Sequence, residues 1–243
     1  MALCGTMAIG AIVGVLLHNY GVGHEQILVA PTHIVRPDLP STSSLEEQIR
    51  GSQASDSLLF DYALALYRDK RYEEAADVAR RLTEKRPSIP AGYMVQAYSL
   101  TAQGKHRFAA EVVRDMLRQR PSDPKLLSEA YELLGDTSRW RRRYREAEQY
   151  YRTALQHDNS NVYAHLGLSI TYERLGQHND MRQSALAAVT YARTQFLKSA
   201  GYYYLARSYE ASGDRRRCYE AYHRAVSADP SGEYATLARN RLH

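Results

Sequence analysis

A spacing of 34 residues constrains this chain more than any other feature. RYEEAADVARRLTEKRP (Arg71 to Pro87) is echoed by HRFAAEVVRDMLRQRP (His106 to Pro121), and the pairs Ala75/Ala109 and Pro87/Pro121 each lie 34 apart. RYREAEQYYRTALQHDN (Arg143 to Asn159) follows, with Ala147 38 residues beyond Ala109; Met181 then comes 34 after Ala147, and Cys218 37 after Met181. Five repeats result: 56–89, 90–123, 128–161, 162–195 and 199–232. The irregular steps are the insertions Pro124 to Leu127 and Phe196 to Lys198, each worth about one turn of helix. Apolar residues recur at helical spacing inside each repeat, and Pro87, Pro121 and Pro230 close three of them. Each repeat therefore reads as a pair of helices that must bury its apolar face against its neighbours.

The spacing also selects small residues. Ala63, Ala97, Gly135, Ser169 and Ala206 recur on the first helices, and Ala147 with Ala154 and Cys218 with Ala225 on the second. Where two helices cross closely a large side chain would force the backbones apart. Met181 is the exception at the small position of repeat four. Bulky residue, leucine and small residue in order, as in Tyr131, Leu134, Gly135 and in Tyr202, Leu205, Ala206, complete a pattern that resembles the tetratricopeptide repeat. That resemblance implies an all-α right-handed solenoid of five helix-turn-helix repeats. Residues 233–243 then read as a helix capping the last repeat, with Ser231 as its N-cap and Tyr234, Leu237, Ala238 and Leu242 as the covering face.

The other end differs. Met1 to Gly23 holds no charged side chain, and Leu3 to Leu17 is nearly all apolar or small. As a helix, Met1 to Leu17 would measure about 26 Å, marginal against a hydrocarbon core of about 30 Å. The segment reads as a single-pass membrane anchor. The alternative is a cleaved secretory signal, which lacks the usual basic start. Gly10 and Gly14 form a GxxxG spacing through which two such helices could associate as a homo-oligomer. Residues 24–55, with Pro31, Pro37, Pro40 and the run Ser41 to Ser44, read as a linker in which Ser44 and Glu47 cap a short helix through Ile49.

In the family this pattern resembles, the first helices line a concave groove that holds a peptide or helix of a partner. The positions assigned to it here are Phe60, Leu64, Tyr67, Met94, Val95, Tyr98, Leu133, Leu166, Ile170, Tyr203, Tyr204 and Arg207, with Glu132 and Asp136 adding polarity in repeat three. This lining suits a hydrophobic segment. It departs from the family's carboxylate-clamping version, which needs Lys, Asn and Arg where this chain has Phe60, Leu64, Val95, Glu129 and Leu133. The turns inside the repeats carry a second feature: Arg71; Lys105 and Arg107; Arg139, Arg141, Arg142 and Arg143; Arg215, Arg216 and Arg217. Repeated in this way they form a basic edge suited to an acidic protein surface or lipid headgroups. Nucleic acid fits poorly, because the edge has neither a row of stacking aromatics nor a basic recognition helix.

Chemistry leaves little trace. The nine histidines form no HExxH pair, the two cysteines no CxxC, and GLSIT (Gly167 to Thr171) spends its serine on helix packing. The expectation is a non-enzymatic interaction scaffold without cofactor or metal. It would be tethered to a membrane and would aid assembly of a multi-protein membrane complex. An exported chaperone for hydrophobic client segments is the alternative.

Overall fold

The computed structural model describes residues 39–51 and 54–242, so the apolar segment, including Gly10 and Gly14, lies outside the described residues. The described residues form helices without strands and fall into two compact bodies, one ending at Asp158 and the other beginning at Asn159. In the first body α1 (Thr42–Gly51) precedes the pairs α2 (Asp56–Arg68) with α3 (Tyr72–Lys85), α4 (Pro90–Ala102) with α5 (His106–Arg118), and α6 (Pro124–Trp140) with α7 (Tyr144–His157). In the second, α8 (Val162–Leu175) pairs with α9 (His178–Tyr191) and α10 (Gln195–Ala211) with α11 (Arg215–Ala228), and α12 (Glu233–Leu242) follows. The two insertions lie in α6 and α10, each 17 residues long where α2, α4 and α8 have 13 or 14.

Starts and stops follow local chemistry. Ser55, Asp123, Asn161 and Thr194 accept a hydrogen bond from a backbone N–H of the helix they precede, and Pro90 opens α4 where no donor is needed. Inside each repeat the first helix ends in one type of turn. Its signature is a backbone bond reaching back five residues: Arg71 to Leu66, Lys105 to Leu100, Arg143 to Ser138, Gln177 to Tyr172 and Asp214 to Tyr209, at 2.9–3.0 Å. That geometry requires a left-handed residue just before the donor. Gly104, Gly176 and Gly213 supply it with φ of 70–74°, whereas Lys70 and Arg142 occupy it at 62° and 58°. A side chain in this conformation costs energy that glycine does not. Lys70→Gly and Arg142→Gly are each expected to raise stability by about 0.5–1 kcal/mol. Urea midpoints test this, with Gly104→Ala as the converse; a loss of stability in both glycine variants would contradict it.

The small positions are where the spacing put them. Ala63, Ala97, Ala206, Ala75, Ala109, Ala147 and also Met181 have no exposed surface, and neither has Ser169. Gly135 and Gly201 show why. A Cβ on Gly135 would stand 2.6 Å from two ring carbons of Tyr151, and one on Gly201 would stand 3.0 Å from the backbone nitrogen of Val189.

Both ends carry covering helices. Tyr234 of α12 packs its ring against Tyr203 at 5.6 Å, Tyr204 at 5.9 Å and Phe196 at 5.5 Å. Gly232 rather than Ser231 directly precedes α12. At the other end, residues assigned to the linker form α1, one turn earlier than the expected cap. Ser41, not Ser44, caps it, accepting from Ser44 N–H at 3.3 Å. Leu39 and Leu45 bury themselves against Ala63, Leu64, Ala65, Ala79 and Val95. Polar contacts fix the strap. Arg68 donates to the carbonyls of Leu39 and Pro40 at 2.8 and 3.1 Å, Thr42 to Asp69 at 3.0 Å, and Tyr62 to Glu46 at 2.7 Å.

Candidate functional site

Of the twelve residues assigned to the groove, ten are buried, and only Phe60 and Arg207 are half-buried. Leu64 and Val95 lie in the cluster covered by Leu39 and Leu45. Tyr67, Met94, Tyr98 and Leu133 pack together with Leu66, Leu134, Val113 and Met116 in the core of the first body. Leu166 and Ile170 are 0% and 3% exposed, and Tyr203 and Tyr204 sit beneath Tyr234. The spacing correctly places these side chains on one face of each first helix. That face is largely consumed by packing between neighbouring helices and by the two covering helices.

What distinguishes the face is its polar residues. In repeat three Glu132, Asp136 and Arg139 follow one another along α6, and the second-helix residue Tyr151 closes the group. The Tyr151 hydroxyl donates to Asp136 Oδ1 at 2.6 Å; Arg139 donates from Nε to the Tyr151 hydroxyl at 3.1 Å and from Nη2 to Asp136 Oδ1 at 3.0 Å. Tyr151 has no exposed surface and Arg139 is 4% exposed. Arg139 is therefore not part of a basic edge, although the sequence sets it among surface arginines. Only two residues before Arg141, the first of the arginines that reach solvent, it points inward to a carboxylate.

Glu132 is buried in the same group. Burial raises its carboxyl well above the ordinary glutamate range; the negative neighbours Asp136 and Glu129 and a hydrogen bond to Asp136 raise it further, against an opposing contribution from Arg139. The folded protein thus holds a proton that the unfolded chain sheds near the ordinary value of about 4.3. Above that pH, stability falls as pH rises. Glu132→Gln stays neutral, so its thermal midpoint relative to the parent protein is expected to climb between pH 4 and pH 8. A difference independent of pH would mean that Glu132 is ionised when folded.

Repeat five builds the same device with its charges exchanged. At the positions equivalent to Asp136 and Arg139 stand Arg207 and Glu210, and Tyr222 occupies the place of Tyr151. The Tyr222 hydroxyl donates to Glu210 at 2.9 Å, Arg207 pairs with Glu210 at 2.9 Å, and Arg207 reaches Glu173 of repeat four at 2.5 Å. Desolvation and the Glu210 carboxylate raise the Tyr222 hydroxyl above the ordinary tyrosine range.

The remaining turn cations divide in two. Arg71 is paired with Glu74 and Glu46, Arg107 with Glu111, Arg143 with Glu146, Arg216 with Glu220 and Arg217 with Asp214. Lys105, Arg141, Arg142 and Arg215 are exposed and form no ion pair with any described residue, and the same holds for Lys70. No group of three or more His, Cys, Asp or Glu arranged to hold a metal occurs among the described residues, and no described helix is long and apolar enough to cross a membrane.

The profile of the tetratricopeptide repeat family matches residues 49–90, 60–124 and 133–196. No curated protein matches the chain. Among solved structures, YrrB, described as a TPR protein with an unusual peptide-binding site, superposes with a TM-score of 0.58 at 14% identity over 82% of this chain and 100% of its own. BtubC from P. vanneervenii gives 0.64 at 14% over 84% and 89%. A thermophilic TPR protein of Thermus thermophilus gives 0.56 at 21% over 77% and 97%. At such identities the likeness is one of fold.

Proposed function

Since the chain belongs to the tetratricopeptide repeat family, it is a platform for protein–protein interaction, and we propose that it acts as a non-enzymatic scaffold held at a membrane. In this reading Leu3 to Leu17 is the tether, and the first-helix face holds a segment of a partner protein. The result would be assembly or stabilisation of a multi-protein membrane complex.

The observation that carries the partner reading is polar. On first-helix faces otherwise filled by apolar packing, the first body carries the hydrogen-bonded group of Glu132, Asp136 and Arg139, and the second body carries that of Arg207 with Glu173. Groups of this kind confer specificity and register on a bound segment more than affinity. YrrB, which shares the fold, has a peptide-binding site. The half-buried Phe60 and the edges of the tyrosine rings add apolar contact.

Full-length protein recovered from its native cells in mild detergent, with mass spectrometry of what accompanies it, tests the proposal. The comparison bait carries Phe60→Ser with Glu173→Gln. Integral membrane proteins that accompany the parent and are lost with the variant would support the scaffold. Soluble clients alone, or one set of partners for both baits, would overturn it.

A further inference from the structure

The first body has an edge on which three consecutive intra-repeat turns meet. Gln103, in the second turn, donates to the carbonyl of Tyr72 beside the first at 3.0 Å. His106 stacks on Trp140 with ring centroids 5.0 Å apart and planes 9° from parallel, joining the second turn to the third. Lys70, Lys105, Arg141 and Arg142 project from these turns without an ion pair to any described residue, while their neighbours Arg71, Arg107 and Arg143 are each paired with a glutamate. Two of the four, Lys70 and Arg142, occupy the left-handed position that glycine fills in the other repeats. Charge is thus kept on this edge at a cost in backbone energy. Phe108, 57% exposed, stands beside Arg107 on the same edge.

The route of the chain identifies what such an edge faces. Arg68 holds the carbonyls of Leu39 and Pro40, and Asp69 holds the hydroxyl of Thr42, so the chain coming from the apolar segment joins the first body next to Lys70. Residues 18–38 separate that point from Leu17. Even fully extended, they reach no further than about 70 Å. A basic edge located where the membrane-proximal chain enters, with one exposed aromatic among the cations, matches an interface of phospholipid headgroups. An acidic protein would account for the charge but not for the place of entry.

We infer that the turn edge carrying Lys70, Lys105, Arg141 and Arg142 rests on anionic lipid headgroups of the membrane that holds the apolar segment. The inference rests on the tether reading proposed above. It gives the scaffold a fixed orientation, with the turns of the first body against the bilayer.

Trp140, the one tryptophan of the chain, lies on this edge and reports on it directly. Full-length protein is added to phosphatidylcholine vesicles, with and without phosphatidylserine, and both flotation and acrylamide quenching of Trp140 are read. The expected result is flotation with both vesicles and protection of Trp140 only where phosphatidylserine is present. Moderate salt should reverse that protection. Replacing the four cations by glutamine should weaken it about fivefold per cation removed, with flotation unchanged. Flotation with unchanged quenching in phosphatidylserine vesicles would overturn the orientation and leave the tether standing. Failure to float with phosphatidylcholine alone would remove the tether and the inference with it. Protection of Trp140 by soluble polyglutamate but by neither vesicle would assign the edge to an acidic protein and overturn the lipid reading.

Discussion

Arg139→Met is expected to cost about 3–5 kcal/mol, because it strips the counter-ion from a carboxylate in a water-poor site. The guanidinium is 3% exposed and bonds both to Asp136 and to the hydroxyl that Asp136 already accepts. Without it, Asp136 keeps the Tyr151 hydroxyl and the hydrogen bond with the buried Glu132, but loses its ion pair. Adding Asp136→Asn should recover part of the loss, since the stranded charge is then gone. Arg139→Lys should recover less than the wild type, because one ammonium cannot serve both partners with the geometry of the fork. Chemical denaturation of the single and double variants measures the coupling. A cost below about 1 kcal/mol for Arg139→Met is the size found for surface arginines and would refute the buried placement.

Gly135→Ala is the second large effect. The added methyl gains helix propensity of about 1 kcal/mol but would arrive 2.6 Å from Tyr151 ring carbons. That ring is fully buried and tied at its hydroxyl to Asp136 and Arg139, so it cannot swing aside without stretching those bonds. A net destabilisation of about 2 kcal/mol is expected, seen as a thermal midpoint lower by roughly 4–8 °C. Gly51→Ala, which meets nothing within 4 Å, serves as the control and should be neutral or stabilising. Because Gly135 and Arg139 both act on Tyr151, their variants should not combine additively. An unchanged midpoint for Gly135→Ala would show that α6 and α7 are further apart than described.

The contrast between these two residues shows what the sequence could reveal. Gly135 was legible, since a small residue recurring at one place in every repeat has a single physical explanation, the crossing of two helices. The pairing of helices and the two long ones followed from the same spacing. Arg139 was not legible. It stands two residues before Arg141 to Arg143, and in one dimension an inward and an outward arginine look alike; only the rotation of about 100° per residue along α6 separates them. The groove assignments meet the same limit. Helical periodicity identifies the face that carries Leu64, Met94 and Leu166, but not whether a neighbouring helix or a partner covers it. Helix α1 was legible as a short helix through Ile49, but its start at Thr42 and its docking onto the first body were not. What fixes it is tertiary, above all the grip of Arg68 on the carbonyls of Leu39 and Pro40. The left-handed position did leave a signal: aligning Lys70 and Arg142 with Gly104, Gly176 and Gly213 marks them as turn residues as well as cations.

The two tyrosine-centred groups have a consequence for how such a chain can change. In repeat three the hydroxyl bonds to a carboxylate at the earlier position, with arginine after it; in repeat five arginine comes first and the carboxylate after. The tyrosine is satisfied in both cases, because a short aspartate arm from one turn and a longer glutamate arm from the next each reach it. A repeat can therefore reverse the order of charge along its first helix while its internal bond survives. Recombination between repeats, or drift within one, can then alter the electrostatic address shown to a ligand without first unfolding the unit that carries it.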